Sequence, residues 1–353
     1  MKPVPLPRWT VIRQRLFATP LDTVITLVIA FLLWRTLVPV IEWMFLDANF
    51  NGTTRADCTS DGACWVFVKA RFGQFMYGLY PPAERWRVDL AGIILVVSVA
   101  LLSWKALPGR RWIALAAFIV LPPLGVWLLG GGFGLRAVET REWGGLMLTI
   151  FISIYAGLIA IPLGILLALG RRSELPVIRM LSIIFIEFWR GVPIVAVIFL
   201  ASILLPLIMP SGVGIDRLAR AVIGLGLVIA AYMAEAVRGG LQAVPEGQHE
   251  AATALGLGYW RATGFIVLPQ AIRIALPAMT NEFIALVKNT TLVLIVSILD
   301  LLGIAQAALA DPNWVGMNKE AYAFAGMIYW IGCFSLSRVG LALERSRSKG
   351  ERH

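Results

Sequence analysis

Apolar residues in this chain are gathered into long blocks that are separated by short polar segments. A helix that crosses the hydrocarbon core of a bilayer, about 30 Å thick, needs roughly 20 such residues. Hydrophobic residues make up 59% of the chain and charged residues only 15%, which is unusual for soluble domains. The sequence therefore predicts an all-α integral membrane protein with about eight transmembrane helices. The predicted spans are 23–46, 90–107, 112–131, 145–169, 180–209, 218–240, 276–302 and 321–343.

Basic residues, which give the chain a net charge of +10, lie mostly between the apolar blocks and at both ends. No basic helix interleaved with aromatic residues occurs, so the charge does not indicate a nucleic-acid partner. Lysine and arginine are more numerous in the segments that are inside the cell if the N-terminus is cytoplasmic. We therefore predict that both termini are cytoplasmic, that the long 47–89 loop is external, and that the 241–273 segment is cytoplasmic.

Motifs of nucleotide-binding and metal-dependent enzymes are missing from the sequence. No Gly-x4-Gly-Lys-Ser/Thr loop is present, so this chain is not expected to bind ATP itself. His249-Glu250 begins like a zinc-protease helix, but Thr253 stands where the second histidine is required. Since His353 is the only other histidine, the sequence predicts no metal site, no cofactor and no enzymatic activity in this chain.

Two of the three cysteines, Cys58 and Cys64, bracket a polar stretch of the 47–89 loop. In an oxidising compartment they could close a small disulfide. Two reduced thiols in a loop are an equally good reading of the same spacing.

The predicted cytoplasmic segment contains a short helix signal with unusually small side chains. Pro245 and Glu246 suit a helix start, and Gly256 is a natural stop. Ala251 and Ala252 would let another protein approach the backbone closely, and Glu250 adds a charge that a partner could contact. From spacing alone, a helix packed against its own bundle is the simpler interpretation.

A resemblance to a known family favours the interpretation that this helix contacts a partner protein. Glu250-Ala251-Ala252, Gly256, Ile266, Leu268 and Pro269 look like the EAA loop of binding-protein-dependent ABC (ATP-binding-cassette) permeases, and more specifically of the polar amino-acid permease family (histidine, glutamine and general L-amino-acid uptake). Further matching stretches are Glu187-Phe-Trp-Arg190-Gly191-Val-Pro193, Ala231-Tyr-Met-Ala-Glu235-Ala-Val-Arg238-Gly239-Gly240-Leu241, Leu268-Pro269-Gln270-Ala-Ile-Arg273 and Leu276-Pro277-Ala-Met-Thr-Asn281-Glu-Phe-Ile-Ala-Leu-Val-Lys288-Asn289-Thr290-Thr291-Leu292.

This resemblance implies a type I ABC importer permease core of five helices over 145–343, with its EAA coupling loop at 241–273. Residues 1–144 would be an extension with three transmembrane helices, similar to the longer permease of general L-amino-acid importers, and 344–353 a basic cytoplasmic tail. The implied function is L-amino-acid import across the bacterial inner membrane. The implied partners are a second permease in a heterodimer, two cytoplasmic ATPase subunits that bind ATP and Mg, and a periplasmic binding protein.

Charged and polar residues inside the apolar blocks are candidates for the translocation path, since such residues are costly in a bilayer and usually face the protein interior. Glu187 and Arg190 are three residues apart and share a helix face, as do Glu235 and Arg238. The candidates for the path are Glu187, Arg190, Glu235, Asn289 and Thr290. The alternative is that they lock helices together, which the spacing favours for Glu187 and leaves open for Arg190 and Glu235.

An ion-gradient-driven secondary amino-acid transporter is the competing class. It would carry broken helices at matching positions in two halves of the chain. Pro162, Pro193 and Pro277 could break helices, but no internal repeat accompanies them. A channel or scaffold subunit would leave the loop helix unexplained.

Overall fold

The computed structural model of the protein describes residue 10 and residues 15–104, 107–210 and 214–348. The basic residues Lys2, Arg8 and Arg13 lie outside the described residues, and so does the predicted tail beyond Ser348. The described residues form fourteen α-helices. In chain order these are α1 (Pro20–Ile41), α2 (Trp65–Tyr77), α3 (Arg85–Ser103), α4 (Arg110–Gly130), α5 (Gly145–Arg171), α6 (Pro176–Gly191), α7 (Ile194–Phe199), α8 (Leu205–Ile208), α9 (Arg217–Gln242), α10 (Glu246–Ala254), α11 (Tyr259–Ala262), α12 (Leu268–Asn289), α13 (Leu301–Leu309) and α14 (Asn318–Ser348).

Seven helical runs in the described part of the chain are long and apolar enough to cross a membrane, and a bent pair makes up to eight. The prediction of about eight spans in an all-α membrane protein is confirmed. The runs are Pro20–Leu46, Pro82–Ser103, Trp112–Gly130, Gly145–Arg171, Arg217–Gln242, Tyr259–Val296 and Asn318–Ala342, and the bent pair is Pro176–Gly191 with Ile194–Ile208.

The predicted span at 180–209 is not one continuous helix, because the chain bends there by 102°. Pro193 has no backbone N–H to continue the helix, and it forces the residue before it out of the helical region. Val192 accordingly has φ −90° and ψ 131°. Pro193 was visible in the sequence as a possible break, but the predicted span was not divided there.

The predicted span at 276–302 is also displaced. The helical run begins at Tyr259, continues through a π-helical turn at Thr263–Val267 and ends at Val296. Pro269 lies inside this run, directly after the π-helical turn, where the regular helical hydrogen-bond pattern is already interrupted. Much of the predicted 241–273 loop is therefore helical.

The centre of the larger compact unit, residues Arg71–Ala310 and Ala321 onwards, is the contact between α5 and α9. Both helices present buried small residues every fourth position, which brings the backbones close together. An added Cβ at Gly164 would lie 2.6 Å from Cβ of Met233 and 3.0 Å from the carbonyl oxygen of Ala230. The small residues are Ala156, Ala160, Gly164 and Ala168 on α5, and Gly226, Ala230 and Ala234 on α9.

A second compact unit consists of the chain up to Ala70 together with Asp311–Glu320. In it Cys58 and Cys64 are joined in a disulfide. The backbone N–H of Cys64 donates to the buried carboxylate of Glu320 over 3.1 Å. The ring of Phe67 packs against that of Trp314 at 5.6 Å. The 47–64 part of the loop is thus a folded structure rather than a polar linker.

Candidate functional site

The EAA segment folds into α10, a nine-residue helix that begins after Pro245. Gly256 ends it as predicted, with φ +72°. The N–H of Gly256 donates to the carbonyl of Thr253 over 2.9 Å, and that of Leu257 donates to Ala252 over 3.0 Å. These two bonds form the Schellman motif, in which glycine takes the left-handed position after the helix. The helix therefore has a defined end although it is short.

The two alanines of the EAA motif lie on different faces of α10. Ala251 is exposed, as is Glu250, whereas Ala252 is only 1% exposed and packs within its own fold. Consecutive helical residues point about 100° apart, and at position 252 this rotation directs the side chain into the fold. The prediction that Ala251 and Ala252 together form a docking surface is corrected. Ala252 packs α10 against its own fold, and Glu250 and Ala251 are available for a partner.

The chain beyond α10 holds this helix in place. The side chain of Gln270 on α12 donates to that of Gln248 on α10 over 3.1 Å. The remaining residues of the matched motif, Ile266, Leu268 and Pro269, are half-buried at the start of α12. The Gln270–Gln248 hydrogen bond and these half-buried residues connect α10 to α12.

Three large apolar side chains of this segment are exposed, although none of them was a candidate from the sequence. Leu255, Trp260 and Phe265 are 77%, 78% and 80% exposed. Their signal was present in the sequence, because each is a bulky apolar residue in a segment assigned to a polar side of the membrane. Leu255 directly follows α10, Trp260 lies in α11 and Phe265 in the next π-helical turn, and we call these three exposed side chains the apolar rim.

A charge cluster joins α5, α6 and α9. Arg171, the last residue of α5, contacts the carboxylates of Glu187 at 3.0 Å and of Glu235 at 2.6 Å. Arg190 lies 3.8 Å from Glu187 and 4.0 Å from Glu235, and Arg238 lies 2.7 Å from Glu235. Three guanidinium groups thus face two carboxylates, which leaves a net positive charge among these five side chains.

The structure brings the sequence candidates Glu187, Arg190 and Glu235 together, and it adds Arg171, which was not a candidate from the sequence. An arginine at the final position of an apolar block looks like a loop charge, so no local spacing revealed its partners. The guanidinium of Arg190 also lies 5.8 Å from the ring centre of Tyr232, within the range of a cation–π contact. Arg190 is 37% exposed and holds its carboxylate partners loosely.

Asn289 and Thr290 belong to a different environment. Thr290 is fully buried, and its hydroxyl donates to the carbonyl of Val287 over 2.9 Å. It lies 3.5 Å from the carboxylate of Asp300 and 3.4 Å from the hydroxyl of Tyr329. That hydroxyl donates to Asp300 over 2.6 Å. Thr290 is therefore part of a helix-joining network in this conformation, while Asn289 is half-buried beside it.

Among the residues described, no group of three or more histidine, cysteine, aspartate or glutamate side chains is arranged to hold a metal ion. The structure presents two candidate features. One is the cluster of charged side chains that joins three helices, and the other is the short helix α10, whose C-terminal end is closed by a Schellman motif.

Comparison with known proteins connects these features to transport. The sequence profile of the family described as binding-protein-dependent transport system inner membrane component matches residues 160–349. The inner membrane amino-acid ABC transporter permease protein YhdY of Escherichia coli K12 is 52% identical, over 96% of this chain and 93% of the relative. The glutamate/glutamine/aspartate/asparagine transport system permease protein BztC of Rhodobacter capsulatus is 34% identical, over 96% and 94%.

A crystal structure of an amino acid ABC transporter with histidines is similar to the chain, with 30% identity and a TM-score of 0.51. The likeness covers 57% of this chain and 92% of that one. These matches are to ABC transport proteins and give no support to the secondary-transporter alternative. The chain belongs to the family of binding-protein-dependent transport system inner membrane components, the permease subunits of ABC importers.

Proposed function

We propose that this permease carries L-amino acids across the bacterial inner membrane, paired with a second, related permease chain. The amino-acid substrate is supported by the transport described for the Escherichia coli and Rhodobacter relatives, which align with nearly the whole chain. An ATPase and an external binding protein are partners that the family implies. In this proposal two ATPase subunits bind ATP and Mg on the side of α10, both termini lie on that same side, and the chain itself catalyses nothing.

The observation that carries the coupling proposal is the placement of α10. It exposes Glu250 and Ala251 while Ala252 faces inward and Gln248 is bonded to α12. An ATPase subunit that contacts the exposed face would pull or push on α12 through this connection. Coupling between two sites needs an element with two arrangements whose equilibrium both sites can shift. In this proposal α10 together with α12 is that element.

The exposed apolar rim of Leu255, Trp260 and Phe265 would add apolar contact area with the ATPase subunit. Large apolar and aromatic side chains supply most of the binding energy of protein interfaces, whereas exposed ion pairs add little. We therefore assign the affinity for the ATPase to these side chains, and orientation to the charge of Glu250.

The charge cluster is proposed to close the path on the α10 side. Its ion pairs are partly exposed, and pairs of this kind contribute only about 0–1 kcal/mol each. Such contacts can be exchanged without unfolding the helices that carry them. The carboxylate of a passing amino acid could replace a carboxylate of the protein at Arg190, whose own pairs are the longest in the cluster.

Uptake into proteoliposomes tests the function. The vesicles would contain this chain, its partner permease and the ATPase, with ATP inside and loaded binding protein outside. Labelled L-amino acids should accumulate only when ATP and binding protein are both present. Accumulation that follows an imposed ion gradient and ignores ATP would contradict the proposal. Mass measurement of the intact complex would test the heterodimer, which predicts one copy of this chain per transporter.

A further inference from the structure

The turn that follows α4 carries a fully exposed aromatic side chain. Phe133 is 100% exposed, and its φ of +49° lies in the left-handed region, which disfavours any residue with a Cβ. Its neighbours Gly131, Gly132 and Gly134 have φ of +85°, +97° and +96°. Strained backbone of this kind persists only where the surrounding structure holds it. We call residues 131–136 the Phe133 turn.

Backbone hydrogen bonds close the Phe133 turn. The N–H of Gly132 donates to the carbonyl of Leu135 over 3.0 Å, and the N–H of Leu135 donates back to the carbonyl of Gly132 over 3.2 Å. Beyond this pair, the N–H of Val138 donates to the carbonyl of Gly130, the last residue of α4, over 2.9 Å. The turn is therefore a closed structure that presents Phe133 at its tip.

Two fully buried side chains hold the turn to the end of α4. The guanidinium of Arg87, on α3, donates to the carbonyl of Leu128 and, over 2.8 Å, to that of Arg136. The hydroxyl of Tyr80 donates to the carbonyl of Leu129 over 2.8 Å. Carbonyls in the last turn of a helix have no partner within the helix, so these bonds fix the end of α4 as well as the turn.

The depth of the Phe133 turn follows from one hydrogen bond. α4 belongs to the membrane span Trp112–Gly130, and the indole N–H of Trp127, in its last turn, donates to the carbonyl of Gly132 over 2.9 Å. The backbone of the turn is therefore beside the end of the span, and the Cα of Phe133 follows that of Gly132 by only about 3.8 Å. The headgroup layer extends roughly 5–7 Å beyond the hydrocarbon on each side of a bilayer. A ring at this level meets lipid before it meets a soluble protein.

A basic side chain ends the turn. Arg136 is exposed, three residues after Phe133. Glu139, the next acidic residue along the chain, is paired instead with Arg141, at 2.8 Å. At the boundary between hydrocarbon and headgroups, an aromatic ring reaches the apolar chains while a guanidinium reaches phosphate. In water, by contrast, the exposed ring would forgo the free energy that burial of apolar surface provides.

We propose that the Phe133 turn anchors the protein to the lipid interface, with the ring of Phe133 among the outer methylene groups of the acyl chains and the guanidinium of Arg136 at a phospholipid phosphate. The anchor sets the depth of this end of α4 and, through Arg87, of the adjoining end of α3. It involves neither α10 nor the charge cluster, so it stands or falls independently of the transport proposal.

Electron paramagnetic resonance tests the anchor in the complete transporter in phospholipid bilayers. A nitroxide is attached at Phe133→Cys, with Cys333→Ala removing the one cysteine outside the Cys58–Cys64 disulfide and with partner subunits that lack reactive cysteines. Oxygen, which concentrates in hydrocarbon, should relax this label several-fold more, relative to a water-soluble nickel complex, than it relaxes the free nitroxide in buffer. A ratio equal to that in buffer would overturn the proposal. So would a label that neither reagent reaches, because a protein would then cover it.

Substitution of the arginine tests the second contact. Arg136→Gln should move the oxygen-to-nickel ratio at position 133 towards the buffer value, whereas Arg141→Gln, which replaces an exposed arginine of the same segment that pairs with Glu139, should leave it unchanged. Equal shifts in both variants, or none in either, would contradict the contact with phosphate. A photoreactive phenylalanine analogue at position 133 should give adducts with phospholipid, and adducts with a second protein chain would overturn the anchor.

Discussion

Arg171 and Glu235, which are 64 residues apart in the chain, form the shortest ion pair of the charge cluster, at 2.6 Å. The same guanidinium contacts Glu187. One side chain at the end of α5 thus connects α6 and α9, the helices that carry the other members of the cluster. This geometry makes Arg171 the residue whose loss should open the cluster most directly.

Arg171→Gln should raise the ATPase rate that the transporter shows without binding protein, because the closed state loses two of its contacts. Global stability should fall by only about 1 kcal/mol or less, since both pairs are partly exposed. Arg179→Gln, on an exposed position of α6, is the control. ATP hydrolysis measured with and without binding protein checks the prediction, and an unchanged basal rate would argue against a closing role.

Gly256→Ala should loosen α10. The φ of +72° disfavours any residue with a Cβ by roughly 1–2 kcal/mol, although the site itself has room for a methyl group. Amides of 246–257 should therefore exchange hydrogen roughly 5- to 30-fold faster. Gly258→Ala is a matched control, since Gly258 has φ −66° and is equally open. If both variants exchange at the wild-type rate, the cap does not hold the helix.

Gly164→Val should destabilise the contact between α5 and α9. Its first side-chain carbon would already lie 2.6 Å from Cβ of Met233, so the helices must separate. Overpacking of this kind costs about 1–3 kcal/mol. A lower melting temperature in detergent is expected for Gly164→Val. Gly332→Val, at an open position of α14, should melt close to wild type, and similar losses in both variants would count against the specific contact.

The 51–57 part of the 47–89 loop should loosen at low pH. Hydrogen bonds from the backbone N–H groups of Thr53 and Thr54 hold the pKa of Asp57 below its ordinary value of 3.8. Since the folded pKa is lowered, the stabilisation is present above that value and is lost as pH falls through the folded pKa. Exchange of the Thr53 and Thr54 amides, corrected for intrinsic rates, should rise below pH 3.8. Asp57→Asn should remove this pH dependence of amide exchange. If the variant keeps it, a group other than Asp57 is responsible.

The features that depended on local spacing were predicted from the sequence. The apolar blocks identified the membrane spans, and the i, i+3 spacing of Glu235 and Arg238 placed them on one helix face, where they form an ion pair. Gly256 ends α10 because glycine readily adopts the left-handed conformation that this helix end requires, whatever the rest of the chain does. These interactions span few residues, so one sequence is sufficient to recognise them.

Features that depend on packing between distant segments were not predicted. The inward face of Ala252 is set by what α10 packs against, and nothing in the motif itself distinguishes it from Ala251. Arg171 reaches Glu235 because α5 and α9 approach through small residues, and that register cannot be read from either helix alone. Pro193 itself was visible in the sequence. It did not by itself predict the bend, because proline is tolerated within other spans, such as Pro162 in α5.

Coupled uptake and ATP hydrolysis, measured in the same proteoliposomes for Glu250→Lys and Ala251→Trp, test the central claim most directly. Both residues are on the exposed face of α10, and a reversed charge or a steric overlap introduced at an interface costs on the order of 2 kcal/mol or more. Binding-protein-stimulated hydrolysis and uptake should then fall together by about 10-fold or more. Glu174→Gln, in the exposed turn between α5 and α6, should leave both unchanged. Wild-type uptake and stimulation in both α10 variants would contradict transmission of the ATPase cycle through this helix.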